Sequence, residues 1–128
     1  MLNRSGITKT SLAATKQILA NVDLQSSVGC IVPQTLGVAV GSKKIAKAGT
    51  PIKIDLMNLQ TAAVKADGTT ALNAVLLHDV DVTDGNANGT ALIFGFVNVN
   101  RVDSDVATAI TTAVAADGVS QMITFMKA

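Results

Sequence analysis

The chain has 128 residues, 48% of them hydrophobic but only 2% aromatic, and a formal net charge of +1. That length holds one domain with a modest core, and the scarcity of rings leaves the core to Val, Ile, Leu and Ala. All nine acidic residues are Asp, a residue of turns and caps, which argues against a helical bundle; the sparse, Arg-poor charge argues against a nucleic-acid module, and no run of about 18 apolar residues offers a membrane span.

Residues 1–27 are rich in Ser, Thr, Ala, Asn and Lys. Leu12, Ile18, Leu19 and Val22 have helical spacing over too short a stretch to hold a helix alone. This region reads as an N-terminal arm, flexible when free and ordered by a partner. It is also basic. In residues 1–50, Arg4, Lys9, Lys16, Lys43, Lys44 and Lys47 stand against Asp23 alone, leaving +5. The remainder has four cations against eight Asp, leaving −4. A basic arm of this kind suits an acidic docking surface. Its candidate docking residues are Arg4, Lys9, Leu12, Lys16, Ile18 and Leu19.

The body is expected over residues 28–128. Val28, Cys30 and Val32 alternate with Gly29 and Ile31 until Pro33, which predicts a short or edge strand. Leu36 to Val40 predicts a second strand, Gly41 to Lys44 a tight turn, and Lys44 to Lys47 an extended run. Ala48-Gly49-Thr50-Pro51 breaks it. Ile52, Ile54 and Leu56 then alternate with Lys53 and Asp55, as in a half-buried strand. Asp67-Gly68 marks a turn. Ala71 to Val82 is the strongest strand signal, with Leu76, His78, Val80 and Val82 on one face. Residues 83–89 form a loop. Ala91 to Val99 predicts the partner strand, buried on both faces, with Phe94 and Phe96 as core anchors. Asp103-Ser104-Asp105 offers a helix N-cap. Val106, Ile110, Ala113 and Val114 make an apolar stripe at helical spacing, and Gly118 a stop. Val119 to Met126 closes the chain. The fold class is mainly β with one short helix, a β-rich α+β body whose core includes Leu76, His78, Val80, Phe94, Phe96 and Ile110.

Chemistry is sparse. Cys30 is the only cysteine, so no internal disulfide forms. His78 is the only histidine, and its place on an apolar strand face reads as structural. The run His78-Asp79-Val80-Asp81-Val82-Thr83-Asp84-Gly85 puts Asp79 and Asp81 on one face, as carboxylates for a hard cation would be. Counted from Asp79 as a calcium loop, however, the sixth residue is Asp84 rather than Gly and the twelfth Thr90 rather than Glu. It reads more simply as a strand ending in a solvated turn. Gly37 and Gly41 lack the Gly-Lys-Ser/Thr ending of a phosphate loop. No enzyme, cofactor or metal site is expected.

Three segments together resemble the head decoration and head-fibre proteins of tailed bacteriophages. They are Ser27-Val28-Gly29-Cys30-Ile31-Val32-Pro33, then Lys44-Ile45-Ala46-Lys47-Ala48-Gly49-Thr50-Pro51. The third is Ala74 to Gly85 with its aspartate-rich end, followed by Ala91-Leu92-Ile93-Phe94-Gly95-Phe96-Val97-Asn98-Val99. The resemblance covers about residues 27–102 and extends to the end through the helix and last strand. By arrangement the chain is more distantly similar to the lambda head decoration protein. The resemblance implies a compact β-barrel or β-tulip-like body that binds the major capsid protein on the outer surface of the virion. It also implies a homo-trimer that clamps neighbouring capsomers, made in the host cytoplasm, with no nucleic-acid or membrane partner. A shell or tail-tube subunit, and a small ligand- or carbohydrate-binding module, are the alternatives.

Overall fold

The computed structural model describes residues 17–21, 23–67, 70–117 and 122–127. β1 (Ser26–Val32) buries Cys30 and Val32. Pro33 ends it, and a 3-10 turn (Gln34–Leu36) follows where a strand was expected from Leu36. Leu36 is drawn into the core. Gly37 passes so close to Val82 that a Cβ would lie 2.5 Å from Val82 Cγ2. β2 (Val38–Val40) therefore begins only at Val38. Gly41, at φ +64, turns the chain into β3 (Lys43–Ala46).

β4 (Pro51–Lys53) places proline at its first position, where a missing N–H is tolerated. The expected strand through Leu56 stops early. At Ile54 a side chain replaces a strand partner: the Ile54 N–H donates to Asn73 Oδ1 and Asn73 Nδ2 donates to the Ile54 carbonyl, both at 2.8 Å. The chain then turns at Asp55, so Ile52 and Ile54 are buried but Leu56 is exposed. β5 (Val64–Lys65) is a two-residue edge. Beyond it the Thr70 N–H donates to Asp67 Oδ1 at 2.9 Å; Gly68 of the expected turn lies outside the described residues.

The single strand expected over Ala71–Val82 is two strands in different sheets, β6 (Ala74–Leu76) and β7 (Val80–Asp81). The Leu77 N–H still reaches the Thr90 carbonyl at 2.9 Å. The Asp79 carboxylate then accepts the Ala48 N–H at 2.7 Å, and the Val82 N–H donates to Lys44 at 2.9 Å, so the chain has crossed to β3. His78 sits at this corner and is exposed, which corrects its expected place in the core. The strand alternation that put it there ends at the corner.

β8 (Ala87–Asn98) starts within the expected loop and is the organising strand. On one side it pairs antiparallel with β1; on the other it pairs with β6 through Val75↔Leu92 and Leu76↔Ala91. Its last four residues run parallel to β9 (Ile123–Met126). Ladders on both sides and apolar residues on both faces divide the core in two. Ala91 joins a cluster with Cys30, Val32, Ile52, Leu76 and Val82. Leu92 joins another with Ile18, Leu19, Val75, Val97 and Ile123. Ser26 pairs with Phe94 but Ser27 with Leu92, so Ile93 is an extra residue and the strand bulges. That shift places Phe94 opposite exposed Ser26, and the parallel ladder with β9 places Phe96 opposite exposed Thr124. The two rings are consequently half-buried rather than the core anchors the sequence suggests. Val80 is half-buried too, packed on the first cluster.

α1 (Ser104–Asp117) begins at the expected cap, with the Ala107 N–H donating to the Asp103 carbonyl at 2.9 Å. Val106, Ile110 and Ala113 are buried as expected. The Val114 side chain and Gly118 lie outside the described residues. Val102 and Val106 close over Gly49, whose φ is +94 and whose added Cβ would lie 2.5 Å from Val102 Cγ1. Among the described residues the fold is mainly β with one α-helix and open sheets, ordered β1-β8-β6-β4-β5 with β9 on β8, and β2-β3-β7. One bridge, Ile31 to Ala62, joins the two ends of the larger sheet, and the Ala63 N–H donates to the Ile31 carbonyl at 2.9 Å. Among the described residues no continuous ladder closes a barrel.

Candidate functional site

The proposed docking arm divides at residue 17. Arg4, Lys9, Leu12 and Lys16 lie outside the described residues. Ile18 and Leu19 do not form a free docking face: they are 0% and 5% exposed and belong to the second core cluster. The backbone explains why. The Asn98 N–H donates to the Ile18 carbonyl at 2.8 Å, the Ala20 N–H donates to the Phe96 carbonyl at 2.9 Å, and Leu19 bridges Val97. This short segment continues the edge of β8 beyond β1, opposite β9. The Leu19 N–H is satisfied by Gln17 Oε1 at 3.0 Å, and Arg101 reaches the Gln17 carbonyl. The body therefore extends at least to residue 17, and the arm boundary at residue 27 moves with it.

Cys30 and His78 stand in different settings. Cys30 is buried in β1 opposite Gly89, and burial pushes its thiol pKa up, which holds it as the weakly nucleophilic thiol. His78 is exposed at the corner between β6 and β7. The aspartates beside it organise backbone. Asp79 accepts from the Ala48 N–H; Asp81 accepts from the Thr83 N–H at 2.9 Å and the Thr83 hydroxyl at 2.6 Å. The Thr83 hydrogen bonds hold the Asp81 carboxyl below its usual range. Among the described residues no three His, Cys or Asp side chains gather as a metal site would require.

Two further features were missed in the sequence. Lys47 Nζ lies 3.2 Å from carboxylate oxygens of both Asp103 and Asp105, tying the β3–β4 connection to the start of α1. Hydrogen bonds to Asp105 and then Asp103 raise the Lys47 pKa. The charges lie 56 and 58 residues apart, so no local spacing relates them. The second feature is the loop between β4 and β5. Asp55 Oδ1 accepts the Met57 N–H at 2.9 Å and Asn58 Oδ1 accepts the Gln60 N–H at 3.2 Å, two successive side-chain-capped turns. They hold Met57 94% exposed and Leu56 53% exposed, while Leu59 packs back on the core. The pattern Asp-x-Met, Asn-x-Gln was a usable turn signal, overridden by the alternation of Ile52, Ile54 and Leu56.

Compared with family models, with curated proteins and with solved structures, the chain finds no match.

Proposed function

We propose that the protein is a non-catalytic component of a virus particle that binds the outer surface of an assembled phage capsid and holds neighbouring capsomers together. The observation that supports this most is the root of the basic N-terminal segment. Arg4, Lys9 and Lys16 lead directly into Ile18 and Leu19, which are locked beside β8 in the core. Burial of Ile18 and Leu19 ties the end of that segment to the larger sheet. Cationic residues on such a segment suit an acidic shell surface, and its backbone can add to a strand edge there. Many copies on one lattice add avidity without large individual interfaces. The segment resemblance set out above points the same way, and the partner it implies is the major capsid protein.

The test uses capsids of the source phage lacking this protein. The full chain should co-sediment with them and add ordered density to the outer shell in cryo-electron microscopy. A chain lacking residues 1–16 should remain folded and lose most of that binding. No added density with the full chain overturns the capsid reading. Full binding by the truncated chain overturns the role of the arm alone.

A further inference from the structure

We propose that two copies of this chain associate reciprocally through the β4–β5 loop and the groove beside it. The loop presents Met57 and Leu56 outward on its two capped turns. Next to it lies an open groove of about 520 Å³, lined by Ile54, Leu56, Thr61, Ala62, Val64 and Asn73 among others. Val64, on β5 at one end of the larger sheet, is 51% exposed there. The capped turns fix the backbone beneath Met57, so covering it orders the side chain without also ordering the loop. A knob and a groove on the same surface are what a two-fold contact needs, since each copy supplies both halves.

The charges on the rim identify the occupant as a second copy. Lys53 and Asp55 are both exposed, two residues apart, and both line the groove. Neither forms an ion pair with a described residue. Across a two-fold axis, adjacent opposite charges meet their opposites: Lys53 faces Asp55 of the second copy, and Asp55 faces its Lys53. A partner with one sign of charge would satisfy only half of this rim. Apolar centre and charged periphery are the usual anatomy of a specific contact. This inference is independent of the capsid reading.

Sedimentation equilibrium of the full chain over a wide concentration range reads the result. The wild type should show a monomer–dimer equilibrium. Met57→Lys should weaken it by about tenfold or more, as loss of a central anchor does. Met57 is 94% exposed and adds nothing to the core of one copy, so at concentrations where the wild type is monomeric the variant's melting temperature should match it. Lys53→Asp and Asp55→Lys should each weaken self-association through like charges, the second more because it also removes the Met57 turn bond, and an equimolar mixture of the two variants should associate more tightly than either alone. A purely structural role for these residues would not produce that gain. A wild-type chain that stays monomeric overturns the proposal. So does a dimer or trimer indifferent to Met57→Lys, or a mixture no tighter than either variant alone. If the wild type is monomeric and Met57→Lys instead abolishes capsid binding, the surface belongs to the shell contact.

Discussion

The two sheets are built from similar sequence and end in different states. Around β8, Val75 and Val97 are fully buried, because ladders flank the strand on both sides and side chains cover both faces. In the three-stranded sheet, Val38 and Val40 on β2 are 39% and 48% exposed, with β3 as their one ladder partner among the described residues. Valine alternation alone does not distinguish the two. Position in the strand order does: a central strand inherits neighbours on each side, whereas an edge strand keeps one row of backbone groups and one face open. In this molecule the core is a property of β8 and what docks on it. The small sheet reaches that core through Ala46 of β3, with Leu36 and Val82 beside it.

This contrast can be broken by substitution and truncation, with unfolding in denaturant as the readout. The largest effect is expected from removing residues 1–22. Ile18 and Leu19 leave with them, at about 2–5 kcal/mol for each buried aliphatic side chain, while removal of residues 1–16 leaves that segment in place. Equal stability of the two truncations would detach residues 17–20 from the core. Next is Leu76→Ala, in the centre of the larger sheet, expected to cost about 2–5 kcal/mol. Phe94→Ala follows. A fully buried Phe costs about 3–5 kcal/mol to truncate, and this half-buried ring should cost clearly less. A loss at the upper end of that range would place it in the core after all.

Lys47→Met should cost at most about 1 kcal/mol, since both carboxylate partners are half-exposed and solvent screens the pair. Its pH dependence gives a sharper signature. The folded-state pKa of Lys47 is raised, so its contribution is complete below the ordinary lysine range and fades as pH rises through the raised value. The wild type should lose this increment on the alkaline side, and the Met variant should not. The smallest effect is Val40→Ala on the exposed edge, expected to stay within about 0.5 kcal/mol. A larger loss would show that β2 is covered in solution.

Much of the architecture was legible in the residues themselves. β1 before Pro33, the Gly41 turn, the buried stripe Val106-Ile110-Ala113 and the strand around Leu92 all follow from local pattern, because each depends on neighbours two to four positions away. The candidate site was less legible. Ile18 and Leu19 looked like part of a free arm, since nothing near them in sequence announces the strand they join. His78 looked buried because alternation was continued through a corner. That corner is held by the Ala48 N–H, 31 residues away, donating to the Asp79 carboxylate.

By itself, then, the sequence determined the class of the protein. Aliphatic alternation, Asp- and Gly-rich turns and a single capped stripe require a β-rich domain with one helix. The tertiary structure decided which strand is central, where the Ala71–Val82 run divides between two sheets, and which apolar residues stay outside. Those outcomes depend on pairing between distant segments: β8 with β1 and β9, Asn73 with Ile54, and Lys47 with Asp103 and Asp105. Burial is decided by what comes to lie against a residue, and a local pattern records only the face on which it stands.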